Sequence, residues 1–329
     1  MHTKLSSPTA SLKAADVLAA AARIRPIIRR TRLLQSIALS ELAGGDVYLK
    51  LENEQITGSF KLRGATNVLA TLPADARRRG VVASSAGNHG MGVAYAAKHF
   101  GTPATIFVPS GAAQVKRDGI TALGAAIDTS QPHYDAALEA ALAFAEVHGS
   151  TFINPCAGDD LIAGQGTVAL EILEDVPNLA ALVVSVGGGG LLGGCASLTR
   201  AVAPTARVFG AQSERTAAMS LSVAAGHVVE IENLPTLAEG LAGQVDDYAL
   251  DIARRTLDEI VTVTEADIAR TIGWLWTDLQ QRVEGAGACA AAAMLTGKIR
   301  EIPTPAAVVV SGGNIDVERF EHLVAGVGV

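Results

Sequence analysis

Residues 181–193, ALVVSVGGGGLLG, decide the fold class of this chain. An apolar run typical of a fully buried strand leads into four consecutive glycines, and a helical pattern begins directly after them. A buried strand that turns into a helix is the repeating unit of a parallel sheet covered by helices. Bare backbone amides at the start of a helix also favour an anion, for example a phosphate group.

Further apolar runs repeat this alternation along the chain. They are residues 46–51, 81–83, 104–108, 206–210, 259–263 and 306–310. Ala-rich segments with helical spacing lie between them, and a first helix is predicted over residues 11–30, where Pro26 should end or kink it. The sequence therefore predicts an α/β protein with a parallel sheet, and its length of 329 residues suggests about two domains.

Charge and cysteine content exclude several classes of partner. The net charge of −7 and the isoelectric point near 5.5 argue against nucleic acid or an anionic membrane as a partner. Cys156, Cys195 and Cys289 form no CxxC pair, which predicts neither a disulfide framework nor a zinc site. The N-terminal residues lack an apolar signal core, and no run reaches the roughly 18 apolar residues of a membrane span. We therefore expect a cytoplasmic protein.

The first candidate site is the segment 57–64, TGSFKLRG, which follows a predicted strand and opens a helical pattern. A lysine at the start of a helix is unusual because its ammonium group opposes the positive end of the helix dipole. That position favours the neutral amine, which is the form that makes a Schiff base with a carbonyl compound. Lys61 is therefore a candidate catalytic residue, although this motif by itself fits a surface lysine near a turn better.

Two further polar segments each follow a predicted strand. The segment 84–90, SSAGNHG, offers backbone amides and small hydroxyl groups that could surround a carboxylate. Within it, His89 by itself fits a capping or packing role better than acid–base catalysis. Ser311 follows the last predicted strand, where its hydroxyl group would either leave the carboxyl edge of the sheet or cap a helix.

The glycine-rich segment also allows a second interpretation. Gly188, Gly190 and Gly193 satisfy the dinucleotide fingerprint G-x-G-x-x-G. Glu214 lies near the distance at which such folds place a ribose-binding acid. A nicotinamide-dependent oxidoreductase is therefore an alternative, but it would leave Lys61 and the serine after the last strand without a role.

Taken together and in this order, the segments resemble the serine/threonine dehydratase family of fold type II (tryptophan-synthase-β-like) pyridoxal-phosphate enzymes. The shared motifs are S-x-K-x-R-G at 59–64, S-x-G-N-H at 85–89, G-Q-G-T at 164–167 with Glu171, the glycine loop, E-G-A-G-A at 284–288 and S-G-G-N at 311–314. They cover nearly the whole chain. The resemblance implies two open, twisted, mostly parallel sheets flanked by helices, with a small domain at 53–152 inserted into a large cofactor-binding domain at 1–52 and 153–329.

The resemblance also implies a role for each site residue. Lys61 would hold pyridoxal 5'-phosphate as a Schiff base, with Phe60 packed beside the cofactor and Asn88 bonded to its phenolic oxygen. Ser311 would meet the pyridine nitrogen. The phosphate would be held by a loop of five residues, Gly187, Gly188, Gly189, Gly190 and Leu191. The substrate carboxylate would be held by a second loop, Ser85, Ala86, Gly87, Asn88 and His89.

By the same resemblance, the reaction removes water and then ammonia from a 3-hydroxy amino acid such as threonine or serine, and it leaves a 2-oxo acid. Once the substrate amine displaces Lys61, the lysine would take the α-proton and the β-hydroxyl group would depart. We expect a homodimer. We also expect a catabolic role, because the residues after Ser311 leave no room for a regulatory domain.

Three departures from the family pattern refine this expectation. Ala86 replaces a serine that racemases of the family use as a base, which disfavours racemisation. Gln212, Ala217 and Ala218 follow a predicted strand where metal-activated members have acidic residues, so we expect no divalent metal ion. Residues 155–158, PCAG, replace a bulkier Pro-Phe-Asp-Asp. Unless this loop faces away, the pocket would accept a larger group than the methyl of threonine, such as the aryl group of phenylserine. β-Replacement and racemisation stay open as alternatives.

Overall fold

The computed structural model describes residues 12–232 and 234–326. The strands are β1 (Leu33–Gln35), β2 (Val47–Leu51), β3 (Val81–Ser84), β4 (Ala104–Pro109), β5 (Ala126–Gln131), β6 (Thr151–Phe152), β7 (Ala181–Ser185), β8 (Arg207–Ser213), β9 (Glu259–Val263) and β10 (Ala306–Val310). The α-helices are α1 (Ala14–Ile24), α2 (Ile37–Ala43), α3 (Lys61–Thr71), α4 (Ala74–Arg79), α5 (Asn88–His99), α6 (Gln114–Ala122), α7 (Tyr134–His148), α8 (Asp159–Asp175), α9 (Gly190–Val202), α10 (Ala218–Ala225), α11 (Asp247–Thr256), α12 (Glu265–Leu279), α13 (Gly285–Leu295) and α14 (Val317–Ala325).

The larger sheet has six strands in the order β1-β2-β10-β7-β8-β9. All of its pairs are parallel except β1 with β2, which is antiparallel. Strand β10 lies between β2 and β7, and Val308 is level with Val183. Because neighbouring parallel strands end at the same edge, Ser311 and the glycine loop after β7 come together there.

The smaller sheet has four parallel strands in the order β5-β4-β3-β6. Its strands fall between Val81 and Phe152, whereas the strands of the larger sheet come before Glu52 or after Ala180. This arrangement confirms two mostly parallel sheets flanked by helices. The boundaries at 52/53 and 152/153 stay a prediction.

Helix α13 explains how a chain with few aromatic residues fills its core. Its sequence GAGACAAAAML is apolar on every face, and its first ten residues are buried. Small side chains let the helix lie close against the larger sheet, which it contacts from β10 to β9. An all-round apolar helix of this kind is typical of a helix buried on all sides.

A buried charge cluster, Lys50, Glu52, Arg63 and Glu171, ties α3 to the larger sheet. Arg63 donates from Nε to Glu52 Oε2 at 2.7 Å and from Nη1 to Glu171 Oε1 at 2.8 Å. Lys50 Nζ donates to Glu171 Oε2 at 2.6 Å. No member is more than 4% exposed, and the two positive charges balance the two negative ones. Burial opposes the charge on Arg63, yet its attraction to Glu52 and its hydrogen bonds to both carboxylates raise its pKa.

Glycines let α3 and α8 cross closely beside this cluster. A Cβ atom on Gly164 would lie 2.7 Å from the backbone of Gly64, and one on Gly64 would lie 2.8 Å from the Leu161 carbonyl oxygen. Both distances are too short for any side chain. The G-Q-G segment is therefore part of the packing that holds α3, and with it Lys61, against the larger sheet.

The structure differs from the sequence prediction at several elements. The first helix ends at Ile24 rather than at residue 30, and Ser11, its predicted start, lies outside the described residues, as do residues 1–10 of the N-terminal stretch considered for a targeting signal. Strands β1, β5 and β6 were not predicted. Helix α12 begins with a capping box, in which Thr264 and Asp267 each accept a hydrogen bond from the other's backbone N–H group. Within residues 12–232 and 234–326, no helix has the length and apolarity needed to cross a membrane.

Candidate active site

One cavity collects residues from segments that lie far apart in the sequence. It is found where β7 and β10 end, next to the starts of α3, α5, α9 and α13. Its lining residues are Phe60, Lys61, Asn88, Cys156, Ser185, Gly187, Gly188, Gly189, Gly190, Leu191, Leu192, Gly240, Leu241, Glu284, Ala286 and Ser311. Four helix N-termini at one cavity favour an anionic ligand, because each contributes a positive dipole end and unpaired backbone N–H groups.

Lys61 is the first residue of α3, as the sequence predicts, and its side chain reaches into the cavity. Its Nζ atom donates to the Pro155 carbonyl oxygen at 2.7 Å and lies 3.8 Å from Cys156 Sγ. The amine also lies 5.2 Å from the centre of the Phe60 ring. Among the described residues no carboxylate forms an ion pair with this amine. A ligand that reacts with the amine therefore has no ion pair to break.

Asn88 begins α5 and also lines the cavity. Its Nδ2 atom donates to Glu284 Oε1 at 2.6 Å, and its Oδ1 atom accepts from Asn314 Nδ2 at 2.6 Å. Burial raises the pKa of Glu284 to about 7, although the hydrogen bond from Asn88 and the charge of Lys116 oppose this rise. The cavity therefore holds a carboxyl group that exchanges its proton near neutral pH.

The chain around Lys61 is fastened to the segment after β10. Phe60 N donates to the Ser311 carbonyl oxygen at 3.2 Å, and Ser59 pairs with Gly312 as an antiparallel bridge. Ser311 is 4% exposed, and its hydroxyl group makes only a long contact of 3.4 Å with the Ala286 carbonyl oxygen. No helix follows Ser311 directly, because α14 begins at Val317 with Asp316 as its cap. The helix-cap interpretation of Ser311 is therefore wrong.

The glycine loop has no space for side chains. A Cβ atom on Gly187 would lie 3.1 Å from the Leu241 backbone, and one on Gly190 would lie 2.8 Å from the Cys156 carbonyl oxygen. Gly189 has φ +94°, a conformation that side chains rarely adopt, and it leads directly into α9. The loop thus presents bare backbone N–H groups at a helix start, which is the arrangement that binds phosphate groups.

The loop after β3 contributes less to the cavity than the sequence suggested. Of Ser85, Ala86, Gly87, Asn88 and His89, only Asn88 is among the lining residues that the structure describes. His89 is buried, and its Nε2 atom lies 2.8 Å from the Ile153 carbonyl oxygen. Burial, assisted by the charge of Lys61, lowers the pKa of His89 to about 3, so its ring stays neutral and fills a packing role.

Two polar residues of this site were missed as site residues by sequence reasoning. Glu284 lines the cavity, and Asn314 holds Asn88; both belong to motifs already singled out, but their separation from Asn88 by 196 and 226 positions hides the contact. Cys156 also lines the cavity, so the 155–158 loop faces the site. The sequence had left that orientation open.

Comparison with protein families gives one match over most of the chain. The family model described as "Pyridoxal-phosphate dependent enzyme" matches residues 24–312. Among curated proteins, the L-threonine ammonia-lyase of Thermotoga maritima is 42% identical over 310 residues, which are 94% of this chain and 77% of that protein.

Two solved structures are similar to this chain over most of its length. The maize serine racemase structure has a TM-score of 0.90 and 30% identity, and the match covers 96% of this chain and 98% of that one. The processed form of threonine deaminase isoform 2 from Solanum lycopersicum has a TM-score of 0.90 and 31% identity, with 96% and 88% of the two chains covered.

Proposed function

Because the chain belongs to the pyridoxal-phosphate-dependent enzyme family, and within it to the fold type II group of threonine dehydratases, we propose that it converts a 3-hydroxy amino acid to a 2-oxo acid and ammonia. The observation that carries this proposal is the meeting of Lys61, Asn88, the glycine loop and Ser311 in one cavity. A nicotinamide-dependent oxidoreductase requires none of these residues except the glycines, and the family match excludes it.

The residues that line the cavity suit the chemical groups of pyridoxal phosphate. The glycine loop is packed too closely against Cys156 and Leu241 to carry side chains, so its N–H groups stay bare at the start of α9 and suit a phosphate dianion. Lys61 would hold the cofactor through its amine, Asn88 would bind the phenolic oxygen, and Phe60 would pack beside the ring. These assignments are supported by the position of each side chain at the cavity wall.

When bound, the cofactor acts as an electron sink for negative charge at the substrate α-carbon. Lys61 would then take the α-proton, because its amine is held in the cavity by a backbone carbonyl group rather than by an ion pair. Ser311 would offer the pyridine nitrogen a neutral hydroxyl group. A neutral partner draws less charge into the ring than a carboxylate would, which favours prompt loss of the β-hydroxyl group as water.

The substrate carboxylate would be held by the loop of Ser85 to His89, whose backbone leads into α5. Gly87 has open space around its Cα atom, so a ligand can approach its backbone closely. The N-terminus of α5 adds N–H groups and a positive dipole end at Asn88.

An ion pair lies beside the cavity. Lys116 Nζ of α6 is 3.6 Å from Glu239 Oε2, next to the cavity residue Gly240. This ion pair would assist closure over the substrate and the exclusion of water.

The 155–158 loop bears on the size of the substrate. Cys156 contacts both Lys61 and the glycine loop, and a small thiol takes the place of the bulkier side chains found in many relatives. We therefore infer that the β-substituent can be larger than a methyl group. Threonine, which the name of the Thermotoga relative gives as its substrate, is the first compound to test, with phenylserine next.

Racemisation is the alternative that shares this cofactor, and Ala86 speaks against it because it has no hydroxyl group to act as a base on the opposite face of the substrate. A homodimer in the cytoplasm, without a divalent metal ion, stays a prediction. Sedimentation of the purified protein tests the homodimer. Chiral analysis of recovered serine tests the racemase alternative.

The test is a visible absorption spectrum of the purified protein before and after addition of L-threonine, L-serine or L-threo-phenylserine. We expect a band of bound pyridoxal phosphate that changes with substrate, while 2-oxo acid and ammonia accumulate in equal amounts. The rates with the three compounds rank the β-substituents. Absence of the band after incubation with pyridoxal phosphate would overturn the proposal.

A further inference from the structure

We propose that Asn314 is a positioning residue that fixes the direction of the Asn88 side-chain amide, so that Asn88 turns its NH₂ group toward Glu284 and the cofactor site. This inference rests on the proposed function, because it concerns how Asn88 meets pyridoxal phosphate. Asn314 does not line the cavity described above and acts through its neighbour.

The hydrogen bonds of Asn314 occupy its whole NH₂ group. Its Nδ2 atom donates to Asn88 Oδ1 at 2.6 Å and to the Thr57 carbonyl oxygen at 2.8 Å. An amide has two N–H hydrogens, so each of these acceptors takes one. Asn314 therefore connects the residue that would bind the cofactor with the segment that leads to Lys61.

The direction of the hydrogen bonds that run from Thr57 through both asparagines to Glu284 follows from the two end groups. The Thr57 carbonyl oxygen can only accept, and so can the Glu284 carboxylate at the other end, 2.6 Å from Asn88 Nδ2. If the Asn314 amide were reversed, its oxygen would face two acceptor oxygens. If the Asn88 amide were reversed, its oxygen would face a carboxylate and its NH₂ group would face another NH₂ group.

Two groups restrain Asn88, namely Asn314 and Glu284, and only the hydrogen-bonding capacity of Asn314 does not change with pH near neutrality. The pKa of Glu284 is near 7, so this carboxyl group is partly protonated at neutral pH and can then donate to the oxygen of a reversed Asn88. Asn314 has no such second state. It holds the Asn88 oxygen at any protonation state of Glu284.

The backbone around Asn314 holds its side chain in place. Gly58, at φ +76°, lies so close that a Cβ atom there would lie 2.8 Å from Asn314 Nδ2. Gly313 N also donates to the Gly58 carbonyl oxygen at 2.9 Å, next to the bridge between Ser59 and Gly312. A bare glycine and a backbone hydrogen bond thus keep the Asn314 amide against its two acceptors.

The consequence for the site concerns the second N–H hydrogen of Asn88. One hydrogen is donated to Glu284, and the amide has one more to give at the cavity wall. The phenolic oxygen of the cofactor, which carries negative charge, is the acceptor that this hydrogen suits. A reversed Asn88 would present its oxygen to that negative charge and would repel it.

The test uses Asn314→Asp, which keeps the shape of the side chain but can only accept. Against wild-type protein, we expect the dissociation constant of pyridoxal phosphate to rise about tenfold, as expected for one lost charge-assisted hydrogen bond. We also expect the absorption band of the bound cofactor to shift, because the phenolic oxygen loses its donor. Asn178→Asp, in an exposed loop, is the matched control and should leave both values unchanged.

A double-mutant cycle separates positioning from general support of the fold. In an Asn88→Ala background, Asn314→Asp should change cofactor affinity by less than about twofold, because a residue that acts through Asn88 has nothing left to direct. Thermal unfolding of the cofactor-free variants shows whether each one folds. Equal effects of Asn314→Asp with and without Asn88 would overturn the inference, as would wild-type affinity and spectrum in the single variant. Failure of wild-type protein to bind the cofactor would instead overturn the proposed function.

Discussion

Lys61 and Arg63 are only two residues apart on α3, yet they belong to two groups of charged side chains with opposite surroundings. In the buried charge cluster, Arg63 and Lys50 are paired with two carboxylates at 2.6–2.8 Å and are hidden from solvent. In the cavity, Lys61 contacts a carbonyl oxygen and a thiol, and Glu284 contacts an amide. Neither forms an ion pair within the described part of the chain.

The difference shows which charges hold the fold and which are available for chemistry. Burial pushes the pKa of Glu171 upward, but hydrogen bonds and attraction from Arg63 more than offset this, so its pKa is lowered and it stays ionised. Glu284, with only Asn88 as a close partner, has its pKa raised instead. The same residue type therefore serves as a fixed anion at position 171 and as a titrating group at position 284.

The largest expected effect comes from removing the cavity lysine. Lys61→Ala should lower 2-oxo acid formation at least about 10⁴-fold, because both the hold on the cofactor and the proton acceptor are lost. Its thermal unfolding temperature without cofactor should stay within a few degrees of wild type, since the amine has no ionic partner to leave behind. Sustained ammonia release by this variant would contradict the mechanism.

Breaking the buried charge cluster should lower the stability of the fold, whereas removing Lys61 should lower activity and leave stability nearly unchanged. Arg63→Met leaves two buried carboxylates without their main partner, so the free energy of unfolding should fall by about 3–5 kcal/mol. Urea unfolding of the cofactor-free protein measures it. Arg25→Met is the matched control, because Arg25 pairs with Glu174 at the surface, and it should cost less than about 1 kcal/mol. Equal losses in the two variants would refute the distinction.

Stability should depend on pH through Glu284. Its pKa is about 7 in the folded protein and near 4.5 when unfolded, so the folded state keeps a proton that the unfolded state has lost. Stability is then highest below the lower value and falls as pH rises through 7. The loss should be about 1–3 kcal/mol between pH 5 and pH 8, since the side chain is partly buried.

Glu284→Gln provides the comparison for that prediction. The amide can still accept from Asn88 but does not titrate in this range, so the variant's stability should change less with pH than that of the wild type. Urea midpoints of the cofactor-free proteins at pH 5, 6, 7 and 8 give the difference. Parallel pH profiles of the two proteins would assign the dependence to other groups.

The smallest expected effect is at Cys156. Its thiol lies 3.8 Å from Lys61 Nζ, whereas the Pro155 carbonyl oxygen is at 2.7 Å and would hold the amine without it. Cys156→Ala should therefore change turnover of threonine by less than about threefold, as a weak thiol contact contributes little. A steady-state rate measurement checks it, and a change as large as that of Lys61→Ala would make the thiol a catalytic group.

The parts of the fold that were predicted from the sequence are those with a strong local signal. Buried strands such as β7 and β10 are continuous apolar runs, and Lys61 begins α3 where the pattern placed it. Strand β5, AIDTSQ, is mostly polar and only partly buried, so it carries no such run. Strand β6 has two residues, too few for any periodic pattern.

The parts of the site that were missed depend on contacts between distant segments. Asn88 and Glu284 are 196 positions apart, and nothing in either motif states that they meet. The packing role of His89, by contrast, was preferred from the sequence, and its contact with Ile153 agrees with that preference. The cofactor-binding roles that we propose came from resemblance, and the fold explains how these residues meet through the shared edge of β7 and β10.

The bridge between Ser59 and Gly312 has a consequence for how the protein is made. Asn314 and Thr57, next to this bridge, are 257 positions apart, so the walls of the cavity meet only across nearly the full length of the chain. During synthesis Lys61 leaves the ribosome long before its neighbours after β10, and loop closure over such a span is slow. A growing chain therefore carries its reactive amine without a complete pocket around it, and catalytic capacity should arise only after β10 and the residues that follow it have been made.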